Sequence, residues 1–387
     1  MSLFTPYFNE THEQVRLTAR QFIQREVLPH INAWEEAGSF PREIYRKAGA
    51  AGLLGIGHDP AYGGTGEDVF MKIAATEEVM RSTSGGFAAS LGSLDIALPP
   101  LEKWGSQALK DRFVGPVLAG DMIAALAITE PSGGSDVASL RTRAERRHDE
   151  VNGDHYVVNG SKIYITSGIR ADFYVAAVRT GGPGYAGVSL LVIERSRAGV
   201  STGQPLKKMG WWASDTAEVF FDNVIVPAEN LIGSENAGFL LIMSNFQMER
   251  LNLAVMANMT AQMALEEAIR WSREREAFGK AIGRLQVIRH KLADMATRIE
   301  ASREFTYRVG ARIADGIPSV KEVSMAKNFA TQTSDFVTTE AVQIFGGMGY
   351  MRESVVERLY RDNRILSIGG GTYEIMNEVI AKQLGID

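Results

Sequence analysis

The chain has 387 residues and contains no cysteine, which excludes disulfides, thiolate metal sites and cysteine nucleophiles. Hydrophobic residues make up 45% and charged residues 22% of it, a composition typical of a globular protein with about two or three domains. The 41 Lys and Arg against 46 Asp and Glu give a net charge of −5, which argues against nucleic-acid binding. No apolar run reaches roughly 18 residues and no secretory signal is visible, so we expect a cytoplasmic protein without membrane insertion.

The first zone, residues 1–122, is predicted to be an α-helical domain. Apolar residues between Val15 and Val27 recur at the spacing of one helix face, and Pro29 lies close to the end of that helix. Residues 48–66 are rich in glycine and are predicted to be a loop. Helical spacing resumes at residues 70–80 and 101–118.

The middle zone, residues 123–233, changes to short runs of β-branched and aromatic residues. Pairs of turn-forming residues, among them Asn159-Gly160 and Asp222-Asn223, separate these runs. The pattern predicts a compact antiparallel β domain, a small barrel or sandwich. The predicted strands are 156–158, 162–166, 173–178, 188–193 and 219–226.

The last zone, residues 234–387, is helical again. Residues 239–278 contain neither Gly nor Pro, and Ile288, Leu292, Met295 and Ile299 form an apolar stripe at helical spacing. A further long segment runs from Pro318 to residue 345, and two shorter helices are predicted at 353–366 and 373–384. Long helices with short links favour a C-terminal four-helix bundle, so the fold class is α+β with three domains.

Several common catalytic patterns are missing or out of context. Residues 199–203 match the G-x-S-x-G pattern of serine hydrolases, but Gln204-Pro205 follows, where that motif requires a helix. The six histidines form no H-E-x-x-H pair, and no metal site is predicted. Neither a Walker A loop nor a strand-linked G-x-G-x-x-G occurs, so any nucleotide must be held without a Rossmann unit.

Six segments, taken in order, define a resemblance to a known family. They are AITEPSGGSD (127–136), NGSKIYITSG (159–168), KMGWWASDTAE (208–218), REAFGK (275–280), QIFGGMGY (343–350) and GGTYEI (370–375). At this spacing the chain resembles the acyl-CoA dehydrogenase family over nearly its whole length. The resemblance implies a helical domain, a β domain and a helical bundle, which are the three zones described above.

The resemblance also implies a reaction. Members of the family use FAD to convert an acyl-CoA into the trans-2-enoyl-CoA and pass the electrons to an electron-transfer flavoprotein. Many members carry their catalytic carboxylate at the position of Gly370, where this chain has none. The isovaleryl and long-chain types carry it on the first long helix of the bundle, where this chain has Glu249. Glu249 is therefore the predicted catalytic base, with Glu130 and Glu374 as the next candidates.

The remaining site residues are implied by the same resemblance. Thr129 and Thr166 match hydrogen-bonding partners of the flavin ring, and Tyr164, where most relatives have Trp, matches the residue packed beside it. Leu126 and Ser135 match further cofactor contacts, and Ser135 with Arg250 and Gly371 matches substrate contacts. The contacts expected to FAD across a subunit interface or to its ADP portion are Arg275, Phe278, Gln286, Gln343, Gly347, Thr372 and Glu374. A homo-oligomer, usually a tetramer in this family, is therefore expected.

Three alternatives stay open at this stage. An acyl-CoA oxidase or a nitroalkane- or amine-oxidising enzyme would use the same fold, and a non-catalytic flavoprotein would use it without chemistry. The pathway is expected to be fatty-acid or branched-chain acyl catabolism, but acyl length and branching are not readable. The acyl pocket is expected between the 82–98 segment and the start of the helix that carries Glu249.

Overall fold

A computed structural model describes residues 6–386 of the chain. Its N-terminal region is helical, and polar side chains fix where several helices begin. Asn9 and His12 exchange backbone-to-side-chain hydrogen bonds of 3.1 Å at the first helix, and Asp68 and Ser84 cap two later ones. The helices are α1 (Glu10–Phe22), α2 (Ile31–Ala37), α3 (Glu43–Ala50), α4 (Val69–Met80), α5 (Gly85–Leu91), α6 (Leu94–Trp104) and α7 (Gln107–Leu118). A π-helical turn (Ile23–Val27) continues α1.

The middle region forms a largely antiparallel sheet. Its strands are β1 (Ala124–Ala127), β2 (Arg143–Asp149), β3 (Gly153–Thr166), β4 (Phe173–Arg179), β5 (Val188–Glu194), β6 (Val200–Thr202), β7 (Thr216–Pro227) and β8 (Leu231–Ile232). The spatial order is β6-β7-β3-β2-β4-β5-β8, and β1 pairs with β4. The β1–β4 pair is parallel, which departs from the all-antiparallel expectation. A parallel pair needs a long connection, and the chain through β2 and β3 supplies it.

One predicted turn is instead part of a continuous strand. The sequence predicted two strands separated at Asn159-Gly160, but β3 runs through this point and pairs with β7 along its length. The register shifts between Val158 and Gly160, and opposite this shift the backbone N–H of Asn223 donates to Asn159 Oδ1 at 2.8 Å. The two pairs of turn-forming residues thus face each other across a β-bulge. Gly160 is needed there because a Cβ would lie 2.6 Å from Thr142 Oγ1.

The C-terminal region is the predicted helical bundle. Its helices are α8 (Gly238–Glu274), α9 (Gln286–Ala314), α10 (Val320–Phe345), α11 (Val355–Asn363) and α12 (Tyr373–Gln383). A short hairpin of β9 (Glu276–Ala277) and β10 (Lys280–Ala281) links α8 to α9. On α8 a row of fully buried alanines at helical spacing allows α10 to pack closely. These are Ala254, Ala257, Ala261, Ala264 and Ala268.

Apolar clusters join these regions. The largest cluster packs the N-terminal helices against β4 and β5, where the rings of Phe113 and Phe173 lie 4.5 Å apart. A separate cluster fills the bundle, and another lies inside the sheet. The predicted boundaries at 122/123 and 233/234 fall in the connections before β1 and after β8. Within residues 6–386 no helix is long and apolar enough to cross a membrane.

Candidate active site

Glu249 lies on α8 and faces the N-terminal helices. Its side chain is half-buried, and its Oε2 atom is enclosed without a hydrogen-bond partner among the residues that the structure describes. Burial raises the pKa of Glu249 to about 7, against the opposing effect of the positive charges on Arg250 and Lys327. A carboxylate with this pKa and free oxygen can both accept and release a proton near neutral pH.

The glycines that follow residue 369 lie directly opposite Glu249. A Cβ on Gly370 would be 3.5 Å from Glu249 Oε1 and 2.6 Å from Leu253 Cδ1, and the φ of +65° favours glycine. The two positions considered for the catalytic carboxylate therefore converge on the same space. Arg250 Nε donates to the Gly370 carbonyl at 3.1 Å, and a Cβ on Gly371 would lie 3.8 Å from Arg250 Nη2, so the structure places Arg250 beside both glycines and Glu249 beside Gly370.

Lys327 is a residue of this site that the sequence analysis missed. It is fully buried on α10, donates to the Gly371 carbonyl, and burial lowers its pKa to about 8. A detectable signal was present, because Lys327 follows Val323 by four residues and precedes Ala330 by three. All three side chains are buried on one helix face, and a lysine inside such an apolar stripe is unusual.

A cavity of about 100 Å³ begins at Glu249. Its walls include residues 91–92, 94–96 and the 248–252 part of α8, which agrees with the expected acyl pocket. Two further walls were not predicted: residues 53, 54 and 56, and one face of α4. Most lining side chains are apolar, as a site that receives an acyl chain requires.

The predicted flavin-ring contacts lie together on the sheet. The backbone N–H of Ile163 donates to the Thr129 carbonyl at 2.9 Å, which fixes the loop after β1 beside β3. Tyr164 is 67% exposed at a φ of +60°, within an irregular part of the β3–β7 pairing, and Thr166 follows two residues later. Leu126 on β1 is half-buried, and Ser135 lies in the exposed 131–136 loop.

These residues fit the isoalloxazine ring and the phosphates of FAD. Tyr164 offers an exposed aromatic face, Thr129 and Thr166 lie near it along the chain and sheet, and the exposed glycine-rich loop adds backbone N–H groups and a serine hydroxyl. The reserve candidate Glu130 is not available for catalysis. It is buried and accepts hydrogen bonds from the backbone N–H groups of Arg141 and Thr142 and from Lys162 Nζ, at 2.6, 2.9 and 2.8 Å.

The predicted inter-subunit contacts occupy one end of the bundle. Trp271 and Phe345 stack with ring centroids 4.8 Å apart, which joins the end of α8 to the end of α10. Around this stack five predicted contacts are exposed: Arg275, Phe278, Gln286, Gln343 and Gly347. Phe278 is 92% exposed. No hydrogen bond among residues 6–386 connects this bundle-end patch to Thr129 or Thr166.

The predicted ADP contacts lie at the start of α12. Thr372 caps this helix and accepts a hydrogen bond from the backbone N–H of Ile375 at 3.3 Å. Glu374 is exposed in the first turn. The exposed position of Glu374 leaves it without the enclosed environment of Glu249, so it is a poor candidate for the base.

Comparison with known proteins identifies the class of protein. Three family models match in order: the N-terminal domain of acyl-CoA dehydrogenase over residues 9–121, the middle domain over 125–224 and the C-terminal domain over 236–385. The chain belongs to the acyl-CoA dehydrogenase family of FAD-dependent oxidoreductases. The predictions of family, fold class, enzyme class and cofactor are confirmed.

Individual relatives cover nearly the full chain. It is 38% identical to the mouse (Mus musculus) mitochondrial long-chain specific acyl-CoA dehydrogenase, over 98% of this chain and 88% of that protein. A solved structure of a probable acyl CoA dehydrogenase from Mycobacterium abscessus is 52% identical, with a TM-score of 0.95 over 98% of this chain and 100% of that one. A chain in a structure described as the electron transferring flavoprotein of Acidaminococcus fermentans is 34% identical, with a TM-score of 0.93 over 99% and 100%.

Proposed function

We propose that this chain dehydrogenates an acyl-CoA thioester between its α and β carbons, with Glu249 as the base that removes the α-proton. The observation that carries the proposal is the enclosed Oε2 of Glu249, at the wall of an apolar cavity, which no group in the described part of the chain hydrogen-bonds. A carboxylate that is structural would have its oxygens satisfied. Here an oxygen is left for a proton from the substrate.

The residues around Glu249 adjust its basicity. Burial makes the charged form costly and raises the pKa of Glu249, whereas the charges of Arg250 and Lys327 limit the rise. The resulting value of about 7 leaves a substantial fraction ionised at neutral pH and makes proton transfer from a carbon acid easier than with an ordinary carboxylate. Arg250 and Lys327 also hold the 370–371 backbone by its carbonyls, which fixes the wall opposite the base.

FAD, when bound, supplies the acceptor for the hydride that leaves the β-carbon. Thr129, Thr166 and Tyr164 are the residues we assign to the ring, with Leu126 and Ser135 beside them. Thr372 and Glu374 are assigned to the ADP portion. The bundle-end patch is assigned to the FAD of a second subunit, which makes the protein a homodimer at least and, by analogy with the family, a tetramer.

The electron acceptor is proposed to be an electron-transfer flavoprotein rather than O₂. The Acidaminococcus fermentans relative, whose structure is described as an electron transferring flavoprotein, supports this partner. A cytoplasmic location is proposed because the sequence has no cysteine that would benefit from an oxidising compartment.

The test begins with the purified protein. We expect a yellow protein that holds FAD, whose flavin absorbance is bleached anaerobically by at least one member of a panel of straight and branched acyl-CoAs. Reoxidation is then measured with an electron-transfer flavoprotein and with O₂. A protein that takes up no FAD, or whose FAD no acyl-CoA reduces, would refute the proposal, and faster turnover with O₂ would make it an oxidase.

The assembly is tested separately by light scattering. We expect the FAD-loaded protein to be a dimer or larger. Replacing Arg275 with Glu should weaken both assembly and FAD retention, whereas the same charge reversal at Arg273, which is exposed on the same helix end but is not an assigned contact, should leave both unchanged. An FAD-replete monomer would contradict the inter-subunit assignment.

A further inference from the structure

The acyl pocket contains polar side chains that the reaction does not use. Most of its wall is apolar, but Lys72 and Thr76 on α4, Asn252 on α8 and Asp95 on α6 also line it. Asn252 follows Glu249 by three residues, so it stands about one helical turn, roughly 4.5 Å, further along α8. The pocket is therefore polar at a second place, beyond the reacting carbons.

The amide of Asn252 has unused hydrogen-bond donors. Thr76 Oγ1 donates to Asn252 Oδ1 at 2.7 Å, which holds the amide in one orientation. The Nδ2 group of Asn252 has no hydrogen-bond partner among residues 6–386. An amide presents two N–H donors on that atom. The pocket wall thus offers donors at a fixed position.

Lys72 provides a second set of donors. Its Nζ contacts Asp95 Oδ1 at 3.0 Å, which uses one of three N–H groups. The side chain of Lys72 lies against Gly57, where a Cβ would come within 2.1 Å of Lys72 Cε. Lack of a side chain at Gly57 therefore allows Lys72 to lie along this wall.

The charges behind these donors balance. His58 is almost fully buried, with Nε2 3.1 Å from Asp95 Oδ1 and Nδ1 3.0 Å from Glu102 Oε2. Both ring nitrogens face carboxylates, which suits the protonated form because only that form donates twice. Two cations, Lys72 and His58, then face two anions, Asp95 and Glu102. A ligand that brings a negative charge would gain Lys72 but meet Asp95 beside it.

We propose that the acyl group accepted by this enzyme carries a neutral oxygen, a hydroxyl or a carbonyl, a few carbons beyond the α-carbon, where it binds Asn252 Nδ2 and Lys72 Nζ. This inference rests on the proposed function, because it takes the cavity beside Glu249 as the acyl pocket. A plain alkyl chain in the same place would remove water from these donors without replacing its hydrogen bonds. The enzyme thus selects its acyl-CoA by a polar group on the acyl chain as well as by the length of that chain.

The experiment measures binding by calorimetry to FAD-loaded protein carrying Glu249→Gln, in which turnover is blocked. The probes are hexanoyl-CoA, 5-hydroxyhexanoyl-CoA and adipoyl-CoA, which share a six-carbon chain and carry, respectively, no polar group, a neutral hydroxyl on the fifth carbon and a terminal carboxylate. We expect the hydroxylated chain to bind at least about tenfold more tightly than hexanoyl-CoA, and more tightly than adipoyl-CoA. Adding Asn252→Leu should reduce the preference severalfold, to what Lys72 alone supports, without weakening the binding of hexanoyl-CoA.

The matched control is Gln262→Leu, which also removes an amide from α8 but lies outside the pocket, where it bonds Glu266. It should keep the full preference. Equal binding of the hydroxylated and plain chains, or a preference undiminished by Asn252→Leu, would overturn this inference and leave the proposed function standing. If adipoyl-CoA binds more tightly than 5-hydroxyhexanoyl-CoA, the pocket prefers a charged group, and the proposal of a neutral oxygen is wrong. If none of the three thioesters binds, this inference fails, and the acyl-CoA panel then decides the proposed function separately. The ligand comparison in the Glu249→Gln protein is decisive even if the leucine variant does not fold.

Discussion

Two glutamates, each near a buried lysine, have pKa values shifted in opposite directions in this molecule. Glu130 in the β region accepts three hydrogen bonds and contacts Lys162. Although burial alone would raise the pKa of Glu130, the charge of Lys162 and these hydrogen bonds lower it below its ordinary value. Glu249 in the bundle has an oxygen with no hydrogen-bond partner among residues 6–386, and burial raises its pKa to about 7.

The comparison shows that residue type and burial do not by themselves identify a catalytic carboxylate. Glu130 and Lys162 stabilise the loop that bears Thr129, because Lys162 also donates to the Ile128 carbonyl at 3.0 Å. In the bundle the nearby lysine, Lys327, directs its hydrogen bond to a backbone carbonyl instead of to Glu249. The carboxylate whose hydrogen bonds are satisfied is structural, and the one with an unsatisfied oxygen is the base that we propose.

The largest effect should come from removing the base. Glu249→Gln should keep the fold and FAD but slow flavin reduction by acyl-CoA at least about 10³-fold, because general-base catalysis typically supplies 10²–10⁴. Stopped-flow absorbance measures this rate. Near-normal bleaching in the variant would show that the base lies elsewhere.

A second change sharpens that result. Gly370→Glu in the Glu249→Gln background places a carboxylate where many relatives have theirs. We expect only partial recovery, because the left-handed backbone and the contact with Leu253 Cδ1 oppose a side chain at this position. Recovery above the rate of the single variant is the expected sign that both positions reach the same α-proton.

The matching change in the β region should affect stability rather than chemistry. Glu130→Gln leaves the buried Lys162 ammonium without its counter-charge and should cost about 3 kcal/mol of unfolding free energy, measured by urea denaturation. The rate of reduction per bound FAD should change little. A variant of full stability but 10³-fold lower rate would reverse the roles assigned to the two glutamates.

The smallest effect is a pH-dependent gain in stability from Glu249→Gln. Because the pKa of Glu249 is raised from about 4.5 to about 7, the folded chain keeps a proton that the unfolded chain has released, and stability falls as pH rises through this window. Glutamine does not titrate, so the variant does not lose stability as pH rises through this window. The stability of the variant relative to the parent chain should therefore be about 2.5 kcal/mol higher near pH 8 than near pH 5. An equal difference at both pH values would contradict the raised pKa.

The sequence predicted the regular parts of the fold because their local patterns are strong. The run without Gly or Pro gave α8 to within a few residues, and the stripe from Ile288 to Ile299 lies on the buried side of α9. Strand boundaries were less predictable. Asn159-Gly160 favours a turn by itself, but its pairing with β7 across the bulge decides the conformation, and pairing between distant segments is invisible to a local pattern. The charged strand β2 was missed because only one of its residues is buried.

The site residues that belong to a sequence motif could be predicted. Those that reach the site only through the packing of helices could not. The resemblance selected Glu249, Arg250 and Gly371, which the structure brings together, but the residue roles themselves stay predictions. Lys327 and Asn252 belong to no motif, and their importance follows only from which helices face Glu249. Residues affect a pKa or line a pocket because they lie close to it in three dimensions. The periodicity of a single sequence does not show which distant residues are close in space.

The most direct test of the central claim is the pH profile of flavin reduction in the parent protein and in Glu249→Gln. A base must be deprotonated to act, so the parent rate constant for reduction at limiting acyl-CoA, which reports the groups of the free enzyme, should rise about tenfold per pH unit below the pKa and level off above it. We expect a midpoint near pH 7 that disappears in the glutamine variant together with the rate. A variant that retains the same midpoint at a comparable rate would show that another group removes the proton.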